Sequence, residues 1–279
     1  MLSSAVGCLH SLSNATRLDN PRALEIWAQL MKFDPTKFTA PAAKPLPVIL
    51  LLDVSGSMQG EKIGNLNAAV RDMLGTFRDS HSGEVEIHVA IIAFGEQVTL
   101  HQPLTNVANI SWRDLPASGG TPLGTALSMA KAMIEDKDVV PSRAYRPTVV
   151  LVSDGRPNDD WQRPLKQFVS DGRSAKCERM AMAIGADADE GVLSEFIAGA
   201  ISPLFYAENA KQLRDFFKFV TMSVTIRTQS QTPNVSPSAG EISVKPVTIE
   251  KRPEKSKPAP QPSPGGSNHA EKPSEEGYW

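Results

Sequence analysis

LPVILLLD (46–53) running into VSGSM (54–58) carries the architectural signal of this chain. A strand covered by helices on both faces must be apolar on both, which is what this near-continuous apolar run provides. The run is interrupted at Asp53, where the strand is expected to end. Alternation along an extended chain aims Asp53, Ser55 and Ser57 the same way. A turn at Gly56 can converge them.

Similar signals repeat downstream. Residues 61–79 place Ile63, Leu66, Val70, Met73, Leu74 and Phe77 at a helical period. EVEIHVAIIAF (84–94) predicts a strand, and 97–101 predicts an edge strand after a tight turn around Gly95. Residues 123–135 predict a helix with Leu127, Ala130, Met133 and Ile134 inward. TVVLVSD (148–154) is a second buried strand, followed by a helix near 161–170 and a strand at 177–184. A short helix at 189–197, a strand at 203–207 and a closing helix at 209–224 complete the series. The expected fold is α/β: a doubly wound, mostly parallel six-stranded sheet with helices on both faces and one antiparallel edge strand.

The expected domain spans 45–226. Residues 1–44 read as an N-terminal extension and linker, with Asn20-Pro21 opening a short helix that carries Leu24, Trp27 and Leu30. Either Met1 or Met31 serves as the start of translation. Residues 227–279 read as a Pro-rich disordered tail. From Pro233 onward there are 9 prolines in 47 residues, with 6 acidic and 6 basic charges. Tyr278 and Trp279 break that pattern at the end.

Composition narrows the function classes. With 29 basic and 31 acidic residues the net charge is -2, which argues against nucleic acid as a partner. No run of 18 apolar residues exists, so no membrane span is expected. Two cysteines, Cys8 and Cys177, do not make a disulfide framework or a cysteine-rich zinc site. The start lacks a positively charged segment ahead of its apolar residues, so a cytoplasmic location is expected.

Doubly wound sheets hold their ligands outside the carboxyl ends of the strands. Three oxygen-rich segments fall there: Asp53-Val54-Ser55-Gly56-Ser57, Ser118-Gly119-Gly120-Thr121-Pro122, and Asp154-Gly155. Two carboxylates and three hydroxyls can therefore share one crevice. All are hard oxygen donors, a set suited to Mg²⁺ or Mn²⁺. Each segment also has a structural explanation. Thr121 ahead of Pro122 suits a helix N-cap, Asp154-Gly155 suits a turn, and Ser55 or Ser57 could cap the first helix.

Asp53-x-Ser55-x-Ser57, Thr121 in its Gly-Gly-Thr-Pro-Leu setting, and Asp154-Gly155 together resemble the metal-ion-dependent adhesion site of von Willebrand factor type A domains. The resemblance spans roughly 45–225. It implies that Ser55, Ser57 and Thr121 bind the ion directly, and Asp53 and Asp154 directly or through water. A partner's Asp or Glu carboxylate would complete the shell. LPVILLLDVSGSMQGEKI (46–63), ASGGTPLGTAL (117–127), LVSDGRPNDDW (151–161) and FFKFV (216–220) are similar to small bacterial proteins of this class found with tellurium-resistance and stress-response genes. That similarity implies a scaffold in phosphorylation signalling with a protein kinase and a phosphatase as partners. The alternative is a subunit that works with an AAA-type ATPase, as in chelatase complexes.

Catalysis is not expected. A haloacid-dehalogenase-type phosphatase would need a second carboxylate where Ser55 stands. Residues 53–57 read DVSGS rather than G-x-S-x-G. Of His10, His81, His88, His101 and His269, only His269 follows Asp154, and it lies in the tail. His88 falls within a predicted strand and reads as structural. No phosphate-binding loop of the GxxxxGK[ST] type is present.

Overall fold

The computed structural model describes residues 43–80, 85–185, 187–237 and 241–242. All lie in the first of two compact units, residues 1–248. The expected N-terminal helix, Cys8, Met31 and the Tyr278-Trp279 terminus fall outside the described residues.

Among the described residues six strands form one sheet in the order β3-β2-β1-β4-β5-β6. They are β1 (Lys44–Asp53), β2 (Val85–Phe94), β3 (Val98–Asn106), β4 (Thr148–Ser153), β5 (Glu178–Ile184) and β6 (Leu204–Ala207). Only β3 runs antiparallel, against β2; the other pairings are parallel. The central strand β1 pairs Val48 with both Val89 and Thr148, and Leu52 with both Ala93 and Val152. This is the six-stranded, mostly parallel α/β architecture expected from the apolar runs.

Alternation along β1 divides the core into two layers. Leu46, Val48, Leu50 and Leu52 face the layer built by helices α1 (Glu61–Asp79) and α5 (Ala210–Gln229). Ile49 and Leu51 face the other, built by α2 (Leu123–Glu135), α3 (Gln162–Ser170) and α4 (Glu190–Phe196). Helix α1 contributes Leu66, Val70, Met73, Leu74 and Phe77, the residues that its period selects. Helix α2 contributes Leu127, Ala130, Met133 and Ile134. Cys177 is buried just before β5, and burial pushes its thiol up to about 12. His88 lies on β2 with Nε2 3.1 Å from Glu86 Oε2.

Two boundaries differ from the sequence expectation. The edge strand extends to Asn106 rather than 101. Pro103 is accommodated because an edge strand has one side free of ladder bonds. Helix α5 runs to Gln229, so the domain end expected at 226 falls inside it. Arg227, 1% exposed, holds the next segment in place. Its guanidinium donates to Pro233 O (2.7 Å), Thr148 Oγ1 (2.6 Å) and Arg146 O (2.5 Å). Ser236 donates to Glu178 Oε2 at 2.9 Å. Arg227, Pro233 and Ser236 thus pin this segment to the bases of β4 and β5, while Val235 between them stays exposed.

Candidate metal site

Strand β1 delivers Asp53 to the carboxyl edge of the sheet, and β4 delivers Ser153 and Asp154 beside it. Backbone bonds fix the loop after Asp53. Val54 N donates to Phe94 O (2.8 Å), Ser118 N to Val54 O (2.8 Å), and Gly56 N to Gly119 O (2.9 Å). The 53–57 and 118–121 loops are therefore stapled together along their main chains. Close approach requires glycine here. A Cβ on Gly119, whose φ is +77°, would lie 2.2 Å from Glu96 Cα, and one on Gly120 would lie 2.0 Å from Asn158 Nδ2.

A third loop, 154–160, closes the arrangement. Thr121 N donates to Asn158 Oδ1, and Asn158 N to Thr121 O, both at 3.1 Å. Asp159 reaches the start of α2, where Oδ1 accepts from Gly124 N (3.0 Å) and Oδ2 from Thr125 N (2.9 Å) and Thr125 Oγ1 (3.0 Å). Asp159 thus satisfies helix-start amides from a distance. The capping role that the sequence allowed Thr121 belongs to Asp159. The Thr121 hydroxyl makes no hydrogen bond among the described residues.

All five sequence-predicted residues come together. Asp53 Oδ1 accepts from Ser55 N at 2.9 Å, and Oδ2 from Ser153 Oγ at 2.6 Å. The Ser55 and Ser57 hydroxyls share a hydrogen bond of 2.9 Å, and Ser57 Oγ donates to Asp154 Oδ1 at 2.6 Å. The Thr121 and Ser57 hydroxyls both face the Cα of Gly155. A Cβ there would lie 3.4 and 3.8 Å from them. Asp154 Oδ2 accepts from Lys62 Nζ at 2.5 Å. Neither Ser55 nor Ser57 caps α1, and the 3₁₀ turn at Gly56–Met58 has no side-chain cap either.

Both carboxylates are buried, Asp53 to 0% and Asp154 to 1% exposure. Burial raises the Asp53 carboxyl above its ordinary range. The Ser153 and Ser55 hydrogen bonds pull it back, and the charge of Asp154 raises it further. Two buried carboxylates side by side call for a cation, and Lys62 supplies one. Among the described residues no three His, Cys, Asp or Glu side chains cluster as metal ligands. A metal here would therefore rest on two carboxylates and the Ser55, Ser57 and Thr121 hydroxyls. Those oxygens, and an ammonium already drawn to one carboxylate, fit a hard divalent cation.

Sequence reasoning missed Ser153, Asn158, Asp159 and Lys62. Lys62 is absent from the apolar set that marks the 61–79 helix, and nothing local sets it apart. Asn158 and Asp159 hold atoms more than thirty positions away, a relation that no local pattern encodes.

Comparison with known proteins agrees with the fold. Residues 48–156 match the family model for the von Willebrand factor type A domain, and they include all five site residues. The inter-alpha-trypsin inhibitor heavy chain H4 of Sus scrofa is 28% identical over 195 residues, covering 64% of this chain and 20% of its own. The magnesium-chelatase 60 kDa subunit of Rhodobacter capsulatus is 30% identical over 146 residues, covering 50% and 24%. The chain thus spans a quarter or less of the length of these two relatives. Among solved structures, the pilus adhesin SpaC of Lactobacillus rhamnosus GG superposes with a TM-score of 0.52 at 17% identity, covering 67% of this chain and 31% of that one. Residues 48–156 are thus similar to von Willebrand factor type A domains, and the fold that carries them is a mostly parallel six-stranded α/β sheet of the same kind.

Proposed function

We propose that this protein is a divalent-metal-dependent protein-binding module rather than an enzyme. Mg²⁺ or Mn²⁺ would be held by Asp53, Ser55, Ser57, Thr121 and Asp154, leaving a position for a partner's Asp or Glu carboxylate. The observation that carries this reading is the convergence of two buried carboxylates with three hydroxyls, of which Thr121 has no structural bond to make. An ion bound by few protein oxygens keeps exchangeable positions. Such a position captures an anionic side chain without breaking a covalent bond. None of the described helices is long and apolar enough to cross a membrane.

The finer reading, a cytoplasmic scaffold in stress or tellurite-linked phosphorylation signalling with a kinase and a phosphatase, rests on the sequence resemblance of 46–63, 117–127, 151–161 and 216–220. A second reading is favoured by the similarity to a magnesium-chelatase subunit: a subunit that partners an AAA-type ATPase. Affinity capture with the full chain, in Mg²⁺ and in EDTA, separates them. Metal-dependent recovery of a kinase and phosphatase supports the first, and of an AAA-type ATPase the second. Calorimetry with Mn²⁺ should show one site. Binding unchanged in an Asp53→Ala, Asp154→Ala double variant would sink the metal assignment.

A further inference from the structure

We propose that Lys62 is a built-in counter-ion that occupies Asp154 in the metal-free protein and that a divalent cation must displace. This rests on the metal reading above and adds a residue that sets the affinity of the site.

Lys62 lies in the first turn of α1. The positive end of a helix dipole disfavours a cation there, so local helix energetics do not explain its placement. Asp154 does. The Lys62 ammonium sits 2.5 Å from Asp154 Oδ2, against a carboxylate whose side chain is 0% exposed, while the lysine side chain itself is 39% exposed. The contact therefore has one buried, poorly solvated anion and one cation open to water. Ser57 already donates to the other oxygen, Oδ1. The ammonium and the hydroxyl thus engage one Asp154 oxygen each, and it is the charge of the ammonium that opposes a metal's approach.

Lys62 also has somewhere to go. It lines a cleft of about 380 Å³ at the carboxyl ends of β5 and β6, together with Glu61, Asn65, Gly185, Glu208 and Asn209. The Lys62 tip reaches the floor of this cleft, where Nζ lies 3.6 Å from where a Cβ on Gly185 would stand, an ordinary contact distance. On leaving Asp154, the ammonium would find Glu61 and Glu208 in the same cleft. Release therefore exchanges one carboxylate for others rather than stranding a charge. The protein tolerates two neighbouring buried carboxylates without metal because Lys62 neutralises one of them, and it binds metal more weakly for the same reason.

The experiment is Mn²⁺ titration of the full chain at low ionic strength, for wild type, Lys62→Met, Lys62→Arg and Arg156→Gln. Arg156 is an exposed cation two residues from Asp154 and forms no hydrogen bond or ion pair with it, so it controls for general electrostatics. Lys62→Met is expected to bind Mn²⁺ about fivefold more tightly, the scale of a partly exposed ion pair. Lys62→Arg should stay near wild type and Arg156→Gln within about twofold of it. In EDTA, Lys62→Met should melt below wild type, and its gain on adding metal should be larger. A readout without mutation accompanies this. Acylation of Lys62 by an amine-directed reagent, followed by mass spectrometry, should rise when Mg²⁺ is added to wild type. Equal affinity in wild type and Lys62→Met, weaker binding in Lys62→Met, an equally large effect of Arg156→Gln, or acylation unmoved by Mg²⁺ would each overturn the competition while leaving the metal reading in place. Absence of Mn²⁺ binding in every protein would remove the metal reading, and the competition with it.

Discussion

Thr121 and Asp159 divide two jobs that a single threonine ahead of a helix often performs. Asp159 satisfies the first amides of α2 from the loop after β4, which leaves the Thr121 hydroxyl facing Gly155 beside Ser57. The two roles can therefore be separated by mutation. Thr121→Ala should cost no more than about 1 kcal/mol, since Thr121 is buried and loses one methyl but no cap. It should still weaken Mn²⁺ binding. Asp159→Ala should cost about 1 kcal/mol through the lost cap and leave each of the five donor residues in place. Urea denaturation in EDTA together with Mn²⁺ titration checks both. A Thr121→Ala protein that loses well over about 1 kcal/mol and keeps its metal affinity would return Thr121 to a purely structural role.

Helix α5 and strand β3 show where the elements were legible in the sequence and where they were not. Strands β1 and β4 announce themselves because burial on both faces forces unbroken apolar runs, and α1 does so because one buried face imposes a period. Strand β3 is half-exposed throughout and contains Pro103, so its alternation fades after Leu100. The end of α5 is hidden for a different reason. Arg227 and Thr228 are polar yet buried, and an arginine near a helix end ordinarily reads as a solvated residue. What buries Arg227 is a set of acceptors on Pro233, Thr148 and Arg146, of which the last two lie some eighty residues upstream. The five donor residues were legible because each sits at the end of a legible strand or before a legible helix. Their supports, Ser153 and Asn158 among them, were not, because they act across loops. Burial pulls the Arg227 guanidinium down to about 10, so it remains charged at neutral pH. Its removal leaves a buried carbonyl and hydroxyl without their donor. Arg227→Met should therefore destabilise the fold by about 3 kcal/mol. A chain ending at 226 should lose at least as much. Urea midpoints near wild type for either would show that the 227–236 segment contributes nothing to the folded state.

The order β3-β2-β1-β4-β5-β6 makes β1 and β4 neighbours whose onward connections leave in opposite directions across the sheet. Such a switch point opens a crevice outside the carboxyl ends of the two strands, and here Asp53 and Asp154 stand on its two sides. The sheet thus concentrates unfavourable charge at the seam between its halves, which couples the site to the stability of the whole domain. Burial disfavours the Asp53 carboxylate in the metal-free state, whereas a bound cation stabilises the folded chain in proportion to ln(1 + [M]/Kd). Asparagine at 53 separates these effects. Its amide oxygen can still accept from Ser55 N. Its amide nitrogen can donate to Ser153 Oγ, because a hydroxyl both donates and accepts. Asp53→Asn should therefore be at least as stable as wild type in EDTA and gain almost nothing from Mg²⁺. Wild type should gain about 2.7 kcal/mol at a metal concentration about 100 times its Kd. Calorimetric melting of both proteins, in EDTA and in Mg²⁺, measures all four values. If Asp53→Asn gains as much as wild type, the stabilising ion sits elsewhere on the molecule. If Asp53→Asn is markedly less stable in EDTA, the Asp53 charge holds β1 to β4 through Ser153 more strongly than its burial opposes it, and the seam is a structural joint before it is a binding site.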